Sequence, residues 1–205
     1  VKLDLDLIYL EYLPHINLKI KKKMKKSILF IFGILVFNSI FAQRYYTKTG
    51  NITFDASSSV VEVIGINKGV ISIFDVNTGQ FEFSSNIKEY HFKQSLMEDH
   101  FNENYMDSEK YPKSTFKGFI TNIKEVNFDK DGVYPVTVKG ILDIHNVKRN
   151  IETTGTFTIN SGVITSNSEF KVALKDYNIE VPGVVVDAIS DIAKIKVNCT
   201  YTLMK

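Results

Sequence analysis

The chain has 205 residues, 44% of them hydrophobic and 23% charged, which is enough for one sizeable core and short for two. The formal charge of +2 comes from the amino terminus: the first 42 residues hold seven Lys and three acids, leaving 18 Lys+Arg against 20 Asp+Glu from Gln43 onward, a net of −2. A weakly acidic body without a basic block lacks the electrostatic footprint of a nucleic-acid binder. One cysteine, Cys199, excludes an internal disulfide and a cysteine-built metal cluster.

The amino terminus reads as an address. Lys19–Lys26 is KIKKKMKK, Ser27–Phe41 is SILFIFGILVFNSIF, and Ala42-Gln43 follows. A basic segment, a short apolar core and a small residue at the junction form the secretory pattern, and the run is short of the about 20 residues a membrane span needs. Residues 24–42 are therefore expected to be a signal peptide, residues 1–23 an extension ahead of a start at Met24, and residues 43–205 the mature domain. The competing reading is an uncut membrane anchor. No Cys follows the apolar run, so a lipoprotein anchor is not expected. The expected destination is the periplasm, with secretion as the alternative.

From Gln43 the dominant period is two, which makes strands with one dry and one wet face. Strands are expected near Asn51–Ala56, Val60–Ile66, Val70–Val76, Gln80–Ser84, Lys88–Lys93 and Phe116–Ile123. Four clearer ones follow, in which Val136–Ile144, Ile151–Ile159, Ser168–Leu174 and Ile195–Leu203 place every second residue inward. Turn signals separate them at Thr49-Gly50-Asn51, Asn67-Lys68-Gly69, Asn77-Thr78-Gly79, Asp129–Gly132 and Asn160-Ser161-Gly162. Short regular spacing without long helices excludes βαβ units and favours an antiparallel barrel or sandwich. One segment breaks the period. Ser95-Leu96-Met97-Glu98 has the form of a capping box, and Leu96, Met97, His100, Phe101 and Asn104 follow at helical spacing, so a helix is expected over about Leu96–Asn104. Val181–Ser190 is expected to form a short apolar turn or helix.

The stretch Leu96–Gly118, LMEDHFNENYMDSEKYPKSTFKG, resembles the YceI-like family of lipocalin-like periplasmic proteins through His100, Phe101, Tyr111, Pro112, Thr115 and Phe116. Gly140–Val147 resembles that family's G-x-L-x-I-x-G-V strand and turn, with Asn146 where Gly is usual. Lys175–Ile179 resembles its D-F-G-I segment, with Asn178 where Gly is usual. Asn tolerates the left-handed backbone that such turns require. The resemblance covers Gln80 to Leu203. It implies an all-β, antiparallel lipocalin-like β-barrel with a short helix covering one end and a tubular apolar interior. It also implies a polyisoprenoid, isoprenoid quinone or fatty amide as ligand, with no cofactor and no catalysis.

The candidate ligand-binding set is the inward phase, Phe83, Phe116, Val138, Leu142, Phe157, Phe170, Val172 and Val197, together with Phe101 and His100 from the helix. Apolar alternation alone more often means a filled core than a ligand site. His100 and Glu103 share a helix face beside Asp99, and His91 and His145 are the other histidines of the mature part. Nothing sets them at metal-ligand spacing, so no metal is expected and His100 is expected to tie helix to barrel. No Gly-x-Ser-x-Gly elbow or glycine-rich phosphate loop occurs. Cys199 falls in the inward phase, where cysteine behaves as a small hydrophobe. Three functions remain open: a carrier or store of a long apolar lipid that contacts the membrane transiently, an enzyme acting on such a lipid, and a structural or stress-related envelope protein with a filled core. The oligomeric state is open, a homodimer included. Amino-terminal sequencing of the protein from the cell envelope should begin at Gln43; a start at Met24 or Val1 would refute cleavage.

Overall fold

The computed structural model describes residues 43–181 and 189–204; the expected signal peptide and residues 182–188 of the expected Val181–Ser190 turn lie outside them. Among the described residues nine strands form one antiparallel sheet: β1 Arg44–Ser57, β2 Ile64–Asp75, β3 Gln80–Asn86, β4 His91–Phe92, β5 Lys113–Ile120, β6 Gly132–Ile144, β7 Val147–Asn160, β8 Val163–Ala173 and β9 Ile189–Leu203. The order β1-β9-β8-β7-β6-β5-β3-β2 closes through a second pairing of β1 with β2, which makes an eight-stranded barrel, and the two-residue β4 pairs antiparallel with the start of β2. Between β4 and β5, helix α1 (Ser95–His100) continues into one π-helical turn at Phe101–Tyr105.

The hairpin turns follow their residue chemistry. His145 and Asn146 take φ of 53° and 61° between β6 and β7, and Ser161 and Gly162 take 51° and 78° between β7 and β8, the left-handed pair that matches strand twist. Asn178, at φ 56°, ends the helical turn Leu174–Tyr177. Two of the expected turns are not turns. Asn67-Lys68-Gly69 lies within β2, so the expected strands at Val60–Ile66 and Val70–Val76 are one, and Thr49-Gly50-Asn51 lies within β1. The two segments oppose each other in a pair of bulges, where the β1–β2 register shifts on both sides of Gly50. A Cβ on Gly50 would lie 2.7 Å from Cys199 Sγ, so close strand approach rather than a reversal calls for glycine there. Asn67, fully buried, replaces the ladder with its side chain: Nδ2 donates to Asn86 O at 2.9 Å and to Ser85 Oγ at 3.2 Å, and Oδ1 accepts from Gly69 N–H at 2.8 Å. The expected strand at Lys88–Lys93 reduces to a 3-10 turn at Ile87–Glu89 and the short β4.

The capping box does not form. The helix begins at Ser95 with Gln94 as its cap and no side-chain cap bond. The Glu98 carboxylate instead accepts from Phe92 N–H at 3.2 Å and stands 3.3 Å from His91 Nδ1, which ties the helix to β4. A tertiary contact thus takes the group that the local motif would have used.

One end of the barrel is plugged by aromatic rings around fully buried Phe74, whose centroid lies 4.9 Å from Phe157, 4.9 Å from Tyr201, 5.3 Å from Tyr45 and 5.9 Å from Phe128. The helix covers the other end. Asn67→Leu should lower stability by about 2–4 kcal/mol, because it strands buried groups that Asn67 satisfies. Ser95→Ala should change it by under about 0.5 kcal/mol, lacking a cap bond to lose; chemical denaturation of both variants checks this pair.

Candidate functional site

The barrel encloses an apolar cavity of about 150 Å³. Strand alternation builds it: β6 contributes Val136, Val138, Leu142 and Ile144, β7 Ile151 and Phe157, β8 Phe170 and Val172, and β9 Ala193, Ile195 and Val197. On β5, Phe116 lies over facing glycines: a Cβ on Gly118 or Gly140 would fall 2.8 or 2.7 Å from its Cζ, so these glycines make room for its ring. Phe81 and Phe83 complete the wall from β3, with ring centroids 4.8 Å apart.

Three of the hydroxyls that reach the lining are hydrogen-bonded within the protein. Ser85 Oγ donates to Tyr90 Oη at 3.3 Å, Ser166 Oγ donates to Tyr201 Oη at 3.3 Å, and Ser168 Oγ donates to Thr154 O at 2.8 Å. Tyr201 Oη also bonds Ser72 Oγ at 3.1 Å. Paired hydroxyls present little polarity to a guest and cost little to bury.

A second apolar space of about 220 Å³ lies under the helix, bounded by Ala56, Val61, Val63, Phe92, Met97 and Tyr105. Phe54, Phe101, Met106, Leu174 and Ile179 border both spaces. Phe101 is fixed there by rings on three sides, with centroids 5.6 Å from Phe54, 5.5 Å from Tyr90 and 5.0 Å from Phe92.

Of the residues expected from the sequence, Phe83, Phe101, Phe116, Val138, Leu142, Phe157, Phe170, Val172 and Val197 all lie on the cavity wall. His100 does not. It is exposed at the rim of the outer space, and the bond from helix to barrel is made by Glu98 instead. His145 stands far along the chain from it, donating from Nδ1 to Tyr177 O at 3.2 Å with its ring edge-on to Tyr111. Among the described residues no three His, Cys, Asp or Glu side chains come together. The candidate set left out Leu174, although it ends the inward phase of Ser168–Leu174, and it missed Phe54, Ile87, Met106 and Ile179, which line the wall from a bulged strand, short turns and the end of the helix, where no two-residue period marks the inward side.

A model of the YceI-like domain matches residues 41–201. The chain belongs to the YceI-like family. Among solved structures, a polyisoprenoid binding domain from Saccharophagus degradans implicated in plant cell wall breakdown superposes with a TM-score of 0.69 at 13% identity, covering 78% of this chain and 98% of that one. BcnA of Burkholderia cenocepacia follows with a TM-score of 0.62 at 16% identity, covering 75% and 96%. The YceI protein of Campylobacter jejuni gives 0.51 at 14% identity, covering 72% and 88%. No curated protein matches in sequence. At such identities the likeness is one of fold: a closed antiparallel barrel with one short helix.

Cys199 lies beside the cavity floor, 3% exposed, and burial pushes its thiol up to about 11. Burial likewise raises the Tyr201 hydroxyl well above its usual value. A raised folded-state value means that the unfolded chain ionises first as pH rises, so the stability contributed by neutral Cys199 is complete below pH 9.0 and is lost toward about pH 11. The melting temperature should fall across that window, and Cys199→Ala should flatten the fall while leaving the part due to Tyr201 at higher pH.

Proposed function

We propose that this YceI-like barrel is exported and binds one long apolar lipid of the polyisoprenoid class, including isoprenoid quinones, which it sequesters or carries between membranes. The cavity carries the reading: every strand of the barrel except β2 gives it apolar side chains, and Ser85, Ser166 and Ser168 on its wall are already hydrogen-bonded. The shared fold of the polyisoprenoid binding domain from Saccharophagus degradans supports the ligand class, and the basic-apolar-small amino terminus supports export. Each buried methylene of a ligand contributes about 0.8 kcal/mol, so a long chain binds tightly without a specific polar contact.

One quantity favours the filled-core alternative. A cavity of about 150 Å³ is the size that takes a single benzene-like ring, well short of a long chain. Binding therefore requires the walls to move. Phe83 and Phe170, both half-buried on the wall, are rings whose turning would enlarge it, and the space under the helix extends the volume on offer. The two readings separate on what the protein holds. Solvent extraction of the purified protein followed by mass spectrometry should release a stoichiometric polyisoprenoid-type lipid, and a lipid-free extract together with no uptake from vesicles would establish the filled core. Leu142→Arg puts an unpaired charge in the dry wall and should lower lipid uptake at least about tenfold. Lys139→Ala, on the outer face, should leave uptake unchanged.

A further inference from the structure

β7 and β8 separate half-way along their length. Their ladder runs from Asn160–Val163 beside the turn to Gly155–Ser168 and stops there. Beyond that point β7 remains paired to β6 as far as Val147, and β8 remains paired to β9 as far as Ala173. Each strand is thus held on its far side while Ile151–Thr154 and Glu169–Val172 face one another without a ladder. The sequence offers no obstacle to pairing: neither segment contains proline, and the register of the paired half would bring Thr153 opposite Phe170 and Ile151 opposite Val172.

The opening has defined ends. Ser168 Oγ donates to Thr154 O at 2.8 Å where the ladder stops, and Arg149 Nε donates to Asp176 O at 2.9 Å across the other end. A cleft of about 350 Å³ lies on the opening, and Ile151, Thr153, Phe170 and Val172 line both this cleft and the interior cavity. The wall is covered where another strand overhangs its neighbour. β6 outruns β5, and there Thr121 N–H donates to Thr137 O at 2.8 Å, Thr137 N–H to Asn122 Oδ1 at 2.9 Å and Asn122 Nδ2 to Pro135 O at 3.0 Å. Unpaired strand edges are otherwise a liability that a fold pairs or covers.

We propose that the slit between β7 and β8 is a lateral portal through which an apolar chain enters and leaves the cavity sideways, an inference that rests on the lipid-binding reading above. End-on entry would thread a long chain past Phe54, Phe101 and Leu174 under the helix. A slit along the strands lets successive segments of the chain be laid in from the side, each leaving water as it passes Phe170 and Val172. The lips carry Arg149 and Lys171 against Glu152 and Asp176, so the passage is balanced in charge and selects for the apolar chain rather than for a charged head group.

The test bridges the slit. In a Cys199→Ala background, Glu152→Cys and Lys171→Cys, both on exposed outward positions, are joined by a short bis-maleimide; Glu169→Cys and Lys196→Cys, bridged across the paired β8–β9 ladder, serve as the control. Uptake of a radiolabelled polyprenyl alcohol from phosphatidylcholine vesicles is then timed before and after bridging. Closing the slit should slow uptake at least about tenfold while bridging the control changes it less than about twofold, and Arg149→Ala, which removes the contact at one end, should speed it. Equal rates with the slit bridged and unbridged would overturn the portal and leave lipid binding standing. Equal slowing of the bridged control would also overturn it, since stiffness of the wall would then be the cause. Absence of uptake by the unbridged protein would overturn the lipid-binding reading, and the portal with it.

Discussion

Closure through β1 is the constraint on which the rest depends. The sheet becomes a barrel only because β1 pairs with β2 as well as with β9, over nearly the same residues. A flat sheet cannot do so; bulges supply the local bend and twist. At the seam the bulges around Gly50 face Asn67–Gly69, and the side chain of Asn67 provides the bonds that the interrupted ladder does not. Because Asn67 also holds Asn86 and Ser85, the seam is joined directly to β3 and thus to the cavity wall. Opening it would expose strand edges and the apolar interior together.

Once the barrel is closed, its interior must be either filled or dry. The plugged end is filled: Phe74, Phe157, Tyr201 and Phe128 stack and abut at 4.9 to 6.3 Å, and the one polar atom among them, Tyr201 Oη, is bonded to Ser72 and Ser166. Beyond the plug the wall mixes branched aliphatic residues with Phe81, Phe83, Phe116 and Phe170, and a void opens. A void lined almost wholly by apolar atoms forgoes dispersion contacts without gaining water. The stability forgone at this end is what a guest would restore.

The period of two made β6 through β9 legible, because each of these strands buries one face and wets the other. The expected cavity residues from these strands, Val138, Leu142, Phe157, Phe170, Val172 and Val197, follow from that phase alone, as does the burial of Cys199. The family resemblance supplied the closed topology and the placing of the helix, which alternation does not contain. Reading failed where one residue type serves two purposes. Asn and Gly at 67–69 and 49–51 look like reversals, yet a bulge draws on the same chemistry, and only the opposing strand tells them apart. Ser95 and Glu98 matched a capping motif by spacing, but Glu98 found Phe92 N–H and His91 across a tertiary gap. Phe54 and Ile179 were missed since they reach the cavity from a bulged strand and a loop.

The two ends of the barrel also set which way round an apolar chain would lie on the proposed reading. A polar head group buried against the plug would face rings and hydroxyls that are already paired, and leaving it without a partner there costs about 1–3 kcal/mol per group. Phe157, Phe81 and Phe74 instead suit the methyl end of a chain, which has no bonds to lose. The other end offers what a head group needs: the space under the helix is bordered by exposed His100. The same asymmetry separates affinity from identity. Affinity would grow with the number of methylenes laid against the wall, whereas the head group, kept at the wet end, would be discriminated weakly. On that reading the barrel would sort its guests by the length and width of their chains.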